Sequence, residues 1–226
     1  MSSYLNFQKK YWNDLASLDG FRPVLDPKDE DGQKNLNLSK IHHSHLVTVF
    51  DKPIFADKKS VIDFGSGVGR NVDFLVTYFS DYTGVDQSEE MLVKARENHP
   101  EQEFFHIEDG NLDKIDLPAA DVFFSFWVFQ HVIEDQDLLD ILLKAYNLLN
   151  PNGLLVFCER SSKVRNEHGQ DIHYINHRSP KEYEKLCREA GYRKKYINKV
   201  MYREPSFRER FQRVNENGEN IYVFQK

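Results

Sequence analysis

Asp63 stands two residues ahead of the first of three alternating glycines, in Val61-Ile62-Asp63-Phe64-Gly65-Ser66-Gly67-Val68-Gly69-Arg70. Glycine permits positive φ and lets a ligand approach the bare main chain. The apolar run reads as a buried strand, the glycines as a tight turn, and 71–79 as the start of a helix. A carboxylate at this point suits a cationic ligand. A dinucleotide would bring a pyrophosphate to the helix N-terminus, where Asp63 would repel it. Arg70 also stands where the pattern G-x-G-x-x-G needs a glycine. No Gly-Lys-Ser/Thr follows, so a P-loop is excluded as well. Taken alone, the turn also fits a plain strand-to-helix connection, where glycine is a common residue.

Chemistry recurs at three more strand ends, and ligands of open α/β sheets sit beyond the carboxyl ends of strands. Asp86 lies about twenty residues after the glycines, where an acid can accept from both hydroxyls of a ribose; it also fits a helix-leading Asp before Ser88. Glu108-Asp109-Gly110 ends the third strand and reads either as a second acidic contact or as an ordinary turn. After the fourth strand comes Phe126-Trp127-Val128-Phe129-Gln130-His131. Aromatic faces attract cations, while core packing is the alternative use of the same rings; Phe123 and Phe124 read as core. His131 titrates near neutral pH and serves either as a base or as a structural cap of the loop. A long polar stretch, 159–178, carries Glu159, Arg160, Arg165, His168, Asp171, His173, Tyr174 and His177, and long loops in compact domains are often functional. His173 and His177 have the spacing of a helical metal pair, but no helix is expected there and no spaced Cys or acid accompanies them, so no metal site is assigned. His42-His43-x-His45 reads as a solvated helix face. The basic run from Arg188 to Arg203 reads as a solvated face or as an attraction for a phosphate-bearing substrate.

The glycine stretch resembles the first motif of the class I S-adenosylmethionine-dependent methyltransferases, apolar-Asp-x-Gly-x-Gly-x-Gly. The resemblance covers residues 59–226. It implies a three-layer Rossmann-like α/β sandwich with a seven-stranded, mostly parallel sheet whose last strand is antiparallel, and S-adenosyl-L-methionine as cofactor. Position by position, it implies that Asp63, Gly65, Ser66, Gly67 and Arg70 line the cofactor. Asp86 and Gln87 sit at the ribose, Asp109 and Gly110 at the adenine edge, and Met91 on the adenine face. Phe126 and Trp127 lie near the methionine part. His131 is the first choice of base, with Glu159, His173 and His177 behind it. Tyr11, Trp12, Phe129, Gln130, Arg160 and Tyr174 are the expected acceptor contacts. The acceptor is expected to be an oxygen or nitrogen of a small hydroxylated metabolite, including a sugar or sugar nucleotide. A protein terminus or side chain is the alternative. A nicotinamide-dependent oxidoreductase and a non-catalytic cofactor-binding protein are the readings from other classes.

The elements that must position these groups follow from periodicity. Tyr4–Leu18 has the spacing of an amphipathic helix, 21–37 reads as a loop, and Ile41–Phe50 as a second helix. Residues 1–58 are therefore expected to form a helical cap and 59–226 the catalytic domain, in which strands and helices alternate as in a parallel sheet. Tyr192–Met201 and Asn220–Gln225 are expected to pair antiparallel at the end. The chain has 226 residues and net charge −6, which gives no general attraction to nucleic acid or anionic membrane. No apolar run approaches the ~20 residues of a membrane span. The first residues lack the apolar centre of a signal peptide. Cys158 and Cys187 suggest no disulfide framework, so a reducing cytoplasm is expected, with the protein a monomer or homodimer.

Overall fold

The computed structural model describes residues 3–108, 111–162, 166–170, 173–202 and 218–226. Seven strands form one sheet in the order β3-β2-β1-β4-β5-β9-β8, and β6 and β7 form a separate hairpin. The chain makes two compact units, Met1–Asp116 with Asp171–His173, and Leu117–Gln170 with Tyr174–Lys226. The N-terminal helices thus belong to the same unit as the glycine turn.

In the first unit, α1 (Ser3–Leu15) and α2 (Gln33–Phe50) precede β1 (Ser60–Phe64), α3 (Val72–Leu75), β2 (Asp81–Asp86), α4 (Glu89–Asn98) and β3 (Glu103–His106). The three strands run parallel, Val61 beside Tyr82 and Gly84 beside Phe104. β1 is short and almost wholly buried, as expected of a strand in a parallel sheet. α2 starts well before Ile41, where the sequence places it. The reason lies in the stretch read as loop: Asp31 Oδ1 accepts from the amide of Gln33 at 3.0 Å and Asp29 Oδ2 from that of Asn35 at 2.7 Å. These carboxylates satisfy the first free amides of the helix. The helix buries Leu38, His42, Leu46 and Val49 along one stripe, with Phe50 packed among Phe55, Phe74, Tyr78 and Phe79. α3, by contrast, is a single turn rather than the longer helix expected over 71–79. Ser88 caps α4 by accepting from the amide of Met91 at 3.3 Å.

In the second unit, β4 (Ala120–Phe126), α5 (Asp135–Leu148), β5 (Leu149–Arg160), β6 (Asn166–Gln170), β7 (His173–His177), α6 (Pro180–Glu189), β8 (Arg193–Val200) and β9 (Glu219–Gln225) follow. β4 and β5 are parallel, and β9 runs antiparallel to both β5 and β8. Asn150-Pro151-Asn152-Gly153 follows α5 and lies at the start of β5, where the register shifts between Ala120 and Val122. Asn152 takes a left-handed φ of 61° there. Within 159–178, expected to be a loop, β5 runs on to Arg160, and residues 166–170 and 173–177 form the two-stranded sheet of β6 and β7. Phe157 is the centre of the core, stacked 4.6 Å from Tyr222 at 11°. α5 buries Leu138, Leu142 and Ala145, and α6 buries Tyr183, Leu186 and Cys187, both at the spacing of one helix face.

α6 begins with a capping box: Ser179 Oγ accepts from the amide of Glu182, and the Glu182 carboxylate accepts from the Ser179 amide at 2.7 Å. Replacing Ser179 with Ala should lower stability by about 1 kcal/mol, read as a fall in the urea midpoint at unchanged slope.

Candidate active site

The glycine turn is built by β2 as much as by β1. The amides of Gly65 and Ser66 both donate to the Val85 carbonyl, at 2.8 and 3.1 Å. The amide of Gly67 donates to Asp86 Oδ2 at 2.9 Å, and that of Ser88 to Asp86 Oδ1 at 2.9 Å. Gly67 has φ 55°, and a Cβ built on it would lie 2.7 Å from Val24 Cγ1. Two constraints therefore require glycine, a left-handed backbone and a near neighbour. A carboxylate has about four acceptor sites, so these amides leave Asp86 some capacity for an incoming hydroxyl. Burial pushes the Asp86 carboxyl above its usual range, while the amides of Ser88, Gly67 and Gln87 act the other way. Gln87 contributes its carbonyl, which accepts from His106 Nε2 at 3.0 Å.

Asp63 is placed differently from the expectation of a direct cation contact. It is buried, and its Oδ2 accepts from the Tyr82 hydroxyl at 2.9 Å. Burial pushes its carboxyl up to about 7, against the lowering effects of that hydrogen bond and of Arg70. Arg70 is buried too, with Nη1 3.3 Å from His42 Nδ1. A guanidinium only donates, so His42 presents an unprotonated Nδ1. His42 is a core residue of α2, not part of a solvated face. His43 Nε2 lies 3.2 Å from Asn71 Oδ1, and burial lowers its imidazole to about 4.

Met91 and Trp12 share one apolar cluster. Met91 is buried with Ala16 and Val68, and Trp12, Leu15, Phe21 and Val24 pack against them. The resemblance puts Met91 on a ligand face, with plain core packing as the alternative, and Trp12 at the acceptor; in the structure both pack in this cluster. Tyr11 meets Trp12 edge-on at 5.0 Å, and its half-burial raises its hydroxyl's pKa. Asp109 and Gly110 lie outside the described residues.

In the second unit, β4 delivers Phe126 and then Trp127, whose φ of 61° is left-handed. The Trp127 amide donates to the Cys158 carbonyl at 2.9 Å, and the Arg160 guanidinium lies 4.6 Å from the centre of its ring. Phe129, an expected acceptor contact, is fully buried against Phe157, with ring centres 5.1 Å apart; it is core. Gln130 is buried, its Nε2 3.4 Å from both the Trp127 carbonyl and His131 Nε2. The His131 ring is half-buried. Glu159, a secondary choice of base, is fully buried and accepts from the amides of Phe129 (2.7 Å) and Gln130 (3.2 Å). Burial pushes its carboxyl up to about 8, with the amides of Phe129, Gln130 and Val128 pulling it down. Both oxygens are thus engaged in holding backbone, a positioning role. His177 is buried near the end of β7, and His173 and Tyr174 are placed by the backbone of that strand. Arg178 went unread in the sequence. It is fully buried and donates to Asp135, Phe129 and Ile133; its only signal is its position one residue before the cap of α6.

Residues 62–157 match the family model described as a methyltransferase domain. Over that stretch the chain is similar to the class I S-adenosylmethionine-dependent methyltransferases. Among curated methyltransferases it is similar to esculetin O-methyltransferase of Kitagawia praeruptora, 28% identical over 193 residues, which are 76% of this chain and 50% of the relative. The chain spans about half the length of the first curated relatives it matches. Among solved methyltransferase structures, one from Leishmania major aligns with a TM-score of 0.74 at 17% identity, over 98% of this chain and 82% of that one. Phosphoethanolamine N-methyltransferase 1 of Haemonchus contortus aligns with a TM-score of 0.72 at 16% identity, over 100% of this chain and 50% of that one. At such identities the likeness is one of fold.

The raised carboxyl of Asp63 has a pH signature. Its contribution to stability is fully present below about 3.8 and is lost as pH rises through about 7, because the unfolded chain ionises first. The stability difference between wild type and Asp63→Asn should therefore decline from pH 4 to pH 7.5, as read from paired urea midpoints.

Proposed function

We propose that this chain transfers a methyl group from S-adenosyl-L-methionine to an oxygen or nitrogen of a small hydroxylated metabolite, such as a sugar or sugar nucleotide. The observation that carries the donor half is the Asp86 carboxylate bonded to the Gly67 amide with lone pairs to spare. A ribose diol needs two such acceptors, and bare glycine backbone beside them admits a nucleoside closely. The residues present therefore fit the cofactor. When bound, it would supply a sulfonium-activated methyl group.

The protein's own share is alignment and proton handling. Holding reactants in line contributes about 7–11 kcal/mol of the barrier. Trp127 offers an aromatic face suited to a cation, and Arg160 fixes the tilt of that ring. His131 is the residue assigned to take the proton of an acceptor hydroxyl; an amine acceptor needs only to arrive uncharged. The O-methyltransferase relative supports an oxygen acceptor.

Tritiated methyl transfer from labelled S-adenosylmethionine into fractionated small-molecule and protein extracts tests the reading. Label in a small-molecule fraction supports it, label in protein favours the protein alternative, and no label in either removes it. Asp86→Ala should weaken S-adenosylhomocysteine binding at least about tenfold, since a hydrogen bond to a charged group contributes about 1.5–3 kcal/mol; unchanged calorimetric affinity would remove Asp86 from the site. His131→Ala should reduce kcat by about 10²–10⁴ with a hydroxyl acceptor while leaving cofactor affinity intact, and equal turnover would end its assignment as base.

A further inference from the structure

The segment from Trp127 to Asp135 carries the proposed base, yet it is a short 3₁₀ turn flanked by irregular backbone. Such a turn has few bonds of its own. The His131 amide donates to the Val128 carbonyl at 2.9 Å and the Val132 amide to the Phe129 carbonyl at 3.2 Å. Trp127 at its start holds a left-handed φ, a conformation that a bulky side chain keeps only when its surroundings impose it.

Those surroundings include two buried polar side chains. From one side, the Glu159 carboxylate accepts from the amides of Phe129 and Gln130. From the other, Arg178 spreads its guanidinium over three acceptors: Nε to Asp135 Oδ1 at 2.8 Å, Nη1 to the Phe129 carbonyl at 3.2 Å, and Nη2 to the Ile133 carbonyl at 2.9 Å. Asn176 adds a second donor to the Ile133 carbonyl at 2.8 Å. Residue 129 is thus gripped at its N–H by a carboxyl and at its C=O by a guanidinium. Arg178 is itself set by the start of α6, since Ser179 is the cap and the Ser162 amide donates to the Arg178 carbonyl at 3.3 Å.

An Arg with no exposed surface is costly for stability, and apolar packing of similar volume often serves stability better. What the fork supplies is geometry, three donors in one rigid plane. We propose that Arg178, acting with Glu159, is the positioning residue that fixes the 127–135 turn and thereby aims His131. The proposal rests on the methyl-transfer reading for what the aim achieves, and on the hydrogen bonds alone for the clamp.

Arg178→Lys in the full chain tests it, because a lysine keeps the charge but not the fork. Native-state amide exchange at Phe129 and Gln130 should speed up at least tenfold, while the amides of Leu154–Cys158 in β5 stay within threefold. With labelled S-adenosylmethionine and the extract fraction that accepts label, kcat should fall at least tenfold, with KM for S-adenosylmethionine and affinity for S-adenosylhomocysteine within threefold. Exchange at the wild-type rate, or equal acceleration in β5, overturns the clamp. A wild-type-like kcat beside faster exchange overturns the aiming of His131. Should Arg178→Lys fail to fold, Glu159→Gln, which keeps one acceptor oxygen, is read by the same exchange and the same limits. If wild type labels no acceptor, the methyl-transfer reading falls, and the exchange comparison still decides the clamp.

Discussion

A carboxylate at the end of one strand holds the turn at the end of the next. Asp86 accepts from the Gly67 amide, and the Val85 carbonyl beside it takes the amides of Gly65 and Ser66. These three bonds convert the parallel register of β1 and β2 into a definite shape for the turn. Parallel pairing needs a crossover between strands, and the short α3 provides it while its start, at Asn71 and Val72, continues directly from the glycines. The turn, the crossover and the acid therefore form one piece of geometry, and the ligand chemistry proposed for the first unit depends on it.

The second unit solves a different problem. Its turn after β4 bonds to β5 through the Trp127 amide and is held beyond that by side chains. Buried polar groups must be satisfied. Glu159 meets that condition with backbone amides, and Arg178 with two carbonyls and a carboxylate. Glu219 belongs to the same pattern, accepting from the Tyr202 hydroxyl and the Cys158 thiol. The core under the turn is aromatic, Phe129, Phe157, Tyr183 and Tyr222, and leaves little room for the loop to shift.

Much of this was legible in the residues. The strand ends at Asp63 and Asp86 could be read because an apolar run meets a carboxylate there, and Ser88 follows where a helix begins. The start of α2 was not legible, because its caps come from Asp29 and Asp31 inside a stretch whose polarity looks like a loop. Nor was the split between ligand wall and core. Met91 and Phe129 have the same composition signal whether they face a ligand or other side chains, and only the fold puts both in the core. Arg178 is the extreme case: arginine is rarely fully buried, so nothing local marks one that is.

One consequence reaches beyond the motif. Val24 occupies the space that a side chain on residue 67 would need, and Lys94 on α4 grips the Leu18 carbonyl at 2.6 Å. The leading segment is therefore a strap buckled across the glycines. Any trimming of the amino end that frees Val24 unbuckles it, so a deletion remote in sequence acts on the same few atoms as a change in the motif itself.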